Sequence, residues 1–186
     1  MKHRVCVLTV LAILAGCGSG AAPRSAAPSP AGAARALAGS PPPLAALHSQ
    51  ASRLLDGGAR AFRARLAGLR GHPVVVNKWA SWCGPCRFEF PFFQRLGVQL
   101  GRRVAFLGVD AEDNDGDAGG FLRRYPVTYP SYRDPDQKIA RVFGATLAFP
   151  TTAFYDAAGR LTFVHQGAYA SEAKLREDIA RYAARE

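Results

Sequence analysis

Two cysteines three positions apart are the residues best suited to do chemistry in this chain of 186 residues. Cys83 and Cys86 follow the apolar run at residues 74–76 and lie where a helix is predicted to begin. Thiols at this spacing can close and reopen a small disulfide, and a helix N-terminus favours a thiolate. A thiol whose pKa falls from about 8.5 to about 7 is roughly half ionised at neutral pH. Because the thiolate is the species that attacks a disulfide, the pair predicts thiol–disulfide exchange.

The N-terminus has the features of a secretory signal. A short basic start at residues 1–4 precedes an almost unbroken apolar run at residues 5–15, which is shorter than the roughly 20 residues that span a bilayer. The sequence Leu-Ala-Gly-Cys at residues 14–17 resembles the bacterial lipoprotein box, in which the signal is cleaved before a lipid-carrying cysteine. We therefore expect residues 1–16 to be a signal peptide and Cys17 to be lipidated. Two alternatives stay open, a plain signal peptide and an uncleaved anchor. Each of these three interpretations of the N-terminus places the domain outside the cytoplasm.

The segment that follows the signal has a composition unlike that of a folded domain. Residues 17–43 consist almost entirely of Ala, Pro, Gly and Ser. Such a segment cannot bury a core, so it predicts a disordered tether, with a root-mean-square reach of roughly 25–30 Å. Residues 44–186 then remain for one folded domain, a length that can bury a core.

Strand patterns alternate with helical patterns along the predicted domain. Apolar and β-branched runs predict strands at residues 74–79, 104–109, 151–155 and 161–165. Helices are predicted at residues 44–55, 61–69, 84–100, 138–143 and from Ser171 onward, with a helix end at 121–125 and an acidic, glycine-rich loop at 110–120. This order indicates an α/β fold, in which helices cover both faces of a sheet.

The chain is basic, with a formal net charge of +10. A basic chain can bind nucleic acid or an anionic surface. The arginines are scattered, however, with no run longer than the two at residues 102–103 and at 123–124. We therefore expect a solvated basic surface beside an anionic membrane, and no nucleic-acid partner.

These motifs together resemble the thioredoxin fold. They are most similar to the bacterial TlpA/ResA/DsbE group of membrane-tethered, extracytoplasmic proteins. The resemblance begins near Phe62 and rests on Trp-Cys-Gly-Pro-Cys after a strand, on Pro91 inside the following helix, and on Pro-Thr-Thr at residues 150–152. It implies a thioredoxin-like α/β domain whose central mixed β-sheet is flanked by helices.

The resemblance also implies roles for the residues of the motif. Cys83 would be the exposed attacking cysteine, and Cys86 would resolve the mixed disulfide. Pro150 matches a cis-proline that presents the backbone of the preceding residue to a substrate strand. The supporting residues of the site are then Trp82, Gly84, Pro85, Phe149 and Pro150.

Glu89 matches a glutamate that the tethered group carries three residues past the second cysteine. Thioredoxin itself has a buried aspartate at the position of Asn77, which cannot ionise. On a helix, a residue at i+3 shares a face with Cys86, so the Glu89 carboxylate could take the proton of that thiol. The alternative is a solvated glutamate. Lys78 and Phe149 depart from the family pattern, and Lys78 is either a surface residue or a charge near the site.

The resemblance implies a lipid-anchored thiol–disulfide oxidoreductase on the outer face of the bacterial cytoplasmic membrane, acting as a reductase, for example in cytochrome c maturation. Its partners would be protein thiols or disulfides and a membrane protein that supplies or accepts electrons. No cofactor is expected beyond a redox-active Cys83–Cys86 disulfide. Two alternatives stay open, a disulfide-forming oxidase and a non-catalytic lipoprotein that binds a metal or a substrate. No metal site is expected, because one cysteine pair and a lone histidine such as His165 fall short of the four ligands of structural zinc.

Overall fold

The computed structural model describes residues 28–184 of the chain. The strands are β1 (Leu54–Leu55), β2 (Val74–Trp79), β3 (Ala105–Ala111), β4 (Ser131–Asp134), β5 (Thr151–Tyr155) and β6 (Leu161–Gln166). The helices are α1 (Pro30–Leu37), α2 (Pro42–His48), α3 (Gly58–Gly68), α4 (Gly84–Leu100), α5 (Asp115–Arg124) and α6 (Glu172–Asp178). A 3₁₀ helix at Ala140–Phe143 and a π-helical turn at Ile179–Ala183 complete the described elements.

The strands form one mixed sheet in the order β1-β4-β3-β2-β5-β6. The strands β1, β4, β3 and β2 run parallel, whereas β5 is antiparallel to β2 and β6 is antiparallel to β5. Every residue of β2, β3 and β5 is buried, as expected for central strands that are covered on both faces. This architecture confirms the predicted α/β, thioredoxin-like fold with helices around a mixed sheet.

Two hydrophobic clusters lie on the two faces of the sheet. Because side chains alternate along a strand, Val75 belongs to one cluster and Val76 to the other. The first cluster contains residues of α4, α5 and α6, and the second contains residues of α2 and α3. The helix that begins at the cysteine motif is therefore packed against the centre of the sheet.

Several elements differ from the sequence-based predictions. The helix predicted at 44–55 ends at His48, and Leu54–Leu55 instead pairs in parallel with Ser131 and Tyr132. This pairing joins segments far apart in sequence, so local periodicity could not indicate it. The segment predicted as a helix at 138–143 forms a 3₁₀ helix over Ala140–Phe143.

The loop predicted at 110–120 is largely structured. Strand β3 continues to Ala111, and α5 begins at Asp115 with Asn114 as its N-cap, whose side chain accepts from the backbone N–H of Asp117. The acidic residues that suggested a loop lie in the first turn of α5, where they complement the helix dipole. Acidic first-turn residues followed by basic last-turn residues were a helix signal, which the glycines obscured.

The expectation of disorder is wrong for residues 30–37. Ser29 caps α1 by accepting from the backbone N–H of Gly32, and Pro30 begins the helix, a position that proline favours. Ala33 and Leu37 are buried, and α1 contacts α4. An alanine and a leucine on one face of this alanine-rich segment thus dock a short helix on the domain.

The predictions for residues 1–16 and for Cys17 lie outside the described residues and stay predictions. Between residues 28 and 184, no helix combines the length and the apolar character that crossing a bilayer requires.

Candidate functional site

The N-terminus of α4 carries the two cysteines. Cys83 is the N-cap residue, and Pro85 lies in the first turn, where a missing N–H leaves no hydrogen bond unmade. The two sulfurs form a disulfide, with Cα atoms 5.2 Å apart, and the backbone N–H of Cys86 donates to Cys83 Sγ at 3.1 Å. The Cys83 sulfur therefore occupies a position that favours negative charge once the disulfide is reduced.

The exposure expected for Cys83 is wrong in this disulfide form. Cys83 is only 3% exposed, whereas the neighbouring Trp82 is 54% exposed. The Trp82 ring lies against the Phe149 ring with centroids 4.9 Å apart, and Phe149 packs against the hydrophobic cluster that contains Cys83. Burial follows because the cysteine lies among apolar side chains from separate parts of the chain.

The loop between β2 and α4 is held by hydrogen bonds to residues that directly follow β3 and to α4. The Asp113 carboxylate accepts from the backbone N–H of Ser81 and from its hydroxyl, the latter at 2.9 Å. The Trp82 indole N–H donates to the Glu112 carbonyl at 2.9 Å, and the Arg87 guanidinium donates to the Ser81 carbonyl at 2.7 Å. Sequence reasoning missed Glu112 and Asp113 as partners, because residues 110–120 were predicted only as a loop.

The Phe149–Pro150 peptide bond is cis, as the resemblance implies. Strand β5 begins directly after it, and Thr151 pairs with Lys78 on β2. The proline is thereby placed near the end of β2 that leads into the cysteine motif. The intervening residues of the motif, Gly84 and Pro85, are exposed.

Glu89 lies on α4, the motif helix, and is fully buried. One carboxylate oxygen accepts from Asn77 Nδ2 at 2.8 Å, and the other accepts from the Tyr169 backbone N–H at 3.0 Å. The alternative of a solvated glutamate therefore does not fit. Burial raises the pKa of Glu89 to about 7, while the hydrogen bonds from Tyr169 and Asn77 lower it. A carboxyl group with this pKa can accept or release a proton at neutral pH.

Asp110 is a second buried acid near the site, and sequence reasoning missed it. It pairs with Trp79 at the ends of β3 and β2 and is 3% exposed. Burial raises its pKa to about 8, and the Asp113 carboxyl group contributes through repulsion and a hydrogen bond. The available signal was an aspartate at the end of an otherwise apolar strand.

Lys78 is a buried charge near the site and not a surface residue. Its ammonium donates to the Ala145 carbonyl and, at 3.3 Å, to Gln137 Oε1. It also lies 3.8 Å from the centroid of the Phe149 ring. Burial lowers the pKa of Lys78, while the nearby Glu112 carboxylate raises it.

Between residues 28 and 184, no three His, Cys, Asp or Glu side chains are arranged to hold a metal ion. His165, the lone candidate, stacks on the Tyr169 ring with centroids 4.1 Å apart.

Curated proteins with similar sequences are named for thiol–disulfide chemistry. A thiol:disulfide interchange protein DsbE homolog of Paracoccus denitrificans is 38% identical over 94 residues, which are 50% of this chain and 50% of that protein. The thiol-disulfide oxidoreductase ResA of Bacillus thuringiensis is 30% identical over 97 residues, covering 52% of this chain and 56% of that protein. The match thus spans about half the length of these relatives.

Solved structures with the same fold carry related names. A secreted Mycobacterium tuberculosis disulfide oxidoreductase homologous to E. coli DsbE matches with a TM-score of 0.55 and 26% identity, covering 62% of this chain and 85% of that one. A DsbF homologue from Corynebacterium diphtheriae matches with a TM-score of 0.54 and 27% identity, covering 62% and 75%. The Redoxin family matches residues 54–179, more than half of the sequence. With the cysteine pair at the head of α4 and the mixed sheet behind it, this chain belongs to the Redoxin family.

Proposed function

We propose that this chain is a thiol–disulfide oxidoreductase that is tethered to the outer face of the bacterial cytoplasmic membrane and reduces protein disulfides, for example in cytochrome c maturation. One observation carries the proposal: the Cys83–Cys86 pair begins α4 while Glu89, three residues further along, is buried with a pKa of about 7. A redox pair and a proton acceptor on one helix are what dithiol exchange needs. The thiol–disulfide names of the relatives support it.

The first step is attack by the reduced Cys83 thiolate on a substrate disulfide. A bond forms between Cys83 Sγ and one substrate sulfur, and the substrate S–S bond breaks. The other substrate sulfur leaves with the electron pair and takes up a proton. The N–H groups at the start of α4, including that of Cys86, stabilise the thiolate before the attack.

The second step resolves the mixed disulfide. The Glu89 carboxylate accepts the proton of the Cys86 thiol, and Cys86 then attacks Cys83 Sγ. The substrate sulfur is released with the electron pair and is protonated, so the substrate gains two electrons and two protons and the pair becomes a disulfide. A reductant on the membrane, acting by dithiol exchange, restores the two thiols.

The proposed location rests on the sequence of the N-terminus and on one relative. Residues 14–17 carry the lipoprotein-type sequence, and the similar M. tuberculosis structure is of a secreted protein. Because extracytoplasmic compartments favour disulfides, a reductase there requires electrons from a membrane protein. Cys17→Ser in the full chain is expected to release the protein from the membrane fraction, whereas persistence there would contradict lipid anchoring.

The activity is tested by mixing the reduced full-length chain with a disulfide substrate and following thiol release. Wild type is expected to turn over in the presence of a dithiol reductant, Cys83→Ser to be inactive, and Cys86→Ser to accumulate a mixed disulfide. Stoichiometric bound metal after dialysis, with little turnover, would instead support the metal-binding alternative.

The direction of the reaction is tested by the reduction potential measured against glutathione. A value near about −270 mV supports a reductase, and a value near about −120 mV, typical of strong oxidants, would overturn that direction in favour of the oxidase.

A further inference from the structure

A buried lysine holds the segment that leads into the cis-proline. The side chain of Lys78 is fully buried in β2, and a buried ammonium is stable only if polar partners replace water. Its three direct contacts come from one stretch of chain: Gln137 Oε1, the Ala145 carbonyl and the Phe149 ring. The Glu112 and Asp134 carboxylates also act on it electrostatically. Lys78 thus ties residues 137–149 to the centre of the sheet.

The contacts of Lys78 belong to a closed circuit beside the motif. Gln137 Nε2 donates to Glu112 Oε1, and the Glu112 carbonyl accepts from the Trp82 indole. The Trp82 ring lies against the Phe149 ring, which in turn lies 3.8 Å from the Lys78 ammonium. Each aromatic ring is therefore fixed from two sides, Trp82 by a hydrogen bond and Phe149 by a cation–π contact.

We propose that Lys78 is a positioning residue that holds Phe149 against Trp82, so that the two rings form an aromatic edge beside Cys83 that selects disulfides flanked by an apolar side chain. This inference rests on the proposed thiol–disulfide exchange and adds the substrate preference of that site. Lys78 itself does not touch the substrate, because Phe149 and the protein groups around it cover its ammonium.

The apolar preference follows from what the site presents to solvent. The large exposed hydrophobic side chains among the described residues include Trp82 at the motif, Phe88 on the first turns of α4, and Leu147 two residues before Phe149. The Lys78 ammonium is buried and already paired with carbonyl oxygens, so it offers no ion pair to an acidic substrate. A leucine beside a substrate cysteine would gain contact area against these rings, whereas a serine there would gain less.

The test compares two synthetic peptides, each closed by an intramolecular disulfide and differing only in Leu or Ser before the first cysteine. The reduced full-length chain is mixed with each peptide, and second-order rate constants are measured by acid quenching. Wild type is expected to favour the Leu peptide by about tenfold, the range of one apolar contact. Lys78→Met is expected to lower this ratio to about twofold or less, with the rate towards glutathione disulfide changed by less than about threefold.

Three further variants separate positioning from a general effect on folding. Lys78→Arg keeps the charge and should retain most of the Leu preference, and Phe149→Leu should lose it as Lys78→Met does. Lys138→Met removes an exposed lysine of the same region, which pairs with Asp136, and should leave the ratio unchanged. A double variant, Lys78→Met with Phe149→Leu, should show the same Leu-to-Ser ratio as Phe149→Leu alone, because both substitutions remove the same Lys78–Phe149 interaction.

Distinct results overturn the inference and the proposed function. The role of Lys78 is wrong if wild type exchanges disulfides but Lys78→Met keeps the wild-type ratio of Leu to Ser rate constants. It is also wrong if Lys78→Met lowers the rate constants towards glutathione disulfide and both peptides by the same factor. If wild type reacts with neither glutathione disulfide nor the peptides, the proposed function fails and this inference fails with it.

A second variant serves if Lys78→Met does not fold. Gln137→Asn shortens the side chain that links Lys78 to Glu112, at a residue with φ of 54° that asparagine tolerates well. The preference for the Leu peptide should fall. An unchanged Leu-to-Ser ratio would show that the contacts of Gln137 with Lys78 and Glu112 do not position the aromatic edge.

Discussion

At the scale of single residues, Glu89 shows how burial and hydrogen bonding compete. Burial disfavours the carboxylate and dominates, while donors from Asn77 and Tyr169 stabilise it. The result is a pKa of about 7, close to the pH at which a proton acceptor is most effective. The Tyr129 and Tyr169 hydroxyls interact electrostatically with this carboxyl, and burial raises the pKa of each tyrosine.

Glu89→Gln is expected to slow the resolution of the mixed disulfide by about 100-fold, because a general base typically contributes at least this much. In wild type the rate should rise with pH through about 7 as Glu89 ionises, and the variant should lack this inflection. Stopped-flow measurements between about pH 5.5 and pH 8.5 test this, a range that brackets the pKa. Glu177→Gln, at an exposed position on α6, is the matched control; an unaltered pH profile in Glu89→Gln would contradict the role.

Asp110 should make stability fall as the pH rises. Its pKa is raised from 3.8 to about 8 in the folded chain, so the folded state holds the proton more tightly than the unfolded state. By linkage, the free energy of unfolding then decreases with pH across that window. Asp110→Asn removes this loss of stability. The free energy of unfolding of the variant, relative to that of wild type, should therefore increase from about pH 4 to about pH 8, by more than about 1 kcal/mol in total.

Urea denaturation of the oxidised chain at a series of pH values measures this difference for Asp110→Asn. Asp136→Asn is a suitable control, because Asp136 is exposed and its pKa is lowered by the Lys138 ammonium. A constant difference between Asp110→Asn and wild type across the window would show that Asp110 does not bind its proton more tightly in the folded state.

At the scale of elements, the approach of β3 to its neighbours depends on Gly108. The Trp79 indole crosses towards β4 and donates to the Ser131 hydroxyl at 3.1 Å. A Cβ at Gly108 would lie 2.0 Å from that hydroxyl oxygen and 2.9 Å from Trp79 Nε1. The glycine therefore leaves room for a hydrogen bond that passes over the strand.

Gly108→Ala is expected to lower the free energy of unfolding by about 1–3 kcal/mol, the usual cost of overpacking a core. Gly68→Ala is the control, because nothing lies within 4 Å of its added Cβ and alanine favours a helix over glycine by roughly 0.5–1 kcal/mol. Chemical denaturation compares the two. If Gly108→Ala were as stable as Gly68→Ala, the packing around Trp79 would have to be looser than the structure indicates.

At the scale of the whole molecule, α1 extends the domain on its N-terminal side. Leu37 lies beside Gly101 at the end of α4, and the residues that follow α1 lead directly into α2. With few buried residues, α1 should open independently of the rest of the fold, as weakly packed terminal elements do. The contacts of α1 lie at the far end of α4 from the cysteines.

Leu37→Ser is expected to speed amide exchange in residues 30–37 by more than about tenfold, since burying a leucine stabilises by about 1.5–3 kcal/mol. The rate of disulfide exchange should stay unchanged, because the site is at the other end of α4. Hydrogen-exchange mass spectrometry measures the amide exchange of residues 30–37. Ala36→Ser, at an exposed position on the same helix, is the control. Equal protection in Leu37→Ser and Ala36→Ser would show that Leu37 does not anchor the helix.

Local sequence determined the elements that carry the chemistry. The apolar run of β2, the helix that begins at the cysteine motif, and the strand after Pro150 were predicted with their observed bounds, because each is specified by neighbouring residues. The position of Glu89 on the same helix as Cys86 followed from helix geometry in the same way. Residues 54–55 and 115–120 were not predicted correctly, because distant strand pairing or misleading glycines decided them.

The sequence by itself determined the redox pair, the helix that begins at it and the alternation of strands and helices, since these depend on residue type and on periods of a few residues. Only the tertiary structure decided that Cys83 is buried, that Lys78 faces Phe149, and that Glu89 accepts a hydrogen bond from Tyr169, 80 positions away. Burial and pKa depend on which side chains surround a group. Those neighbours come from distant parts of the chain, and only the packed sheet and helices bring them together.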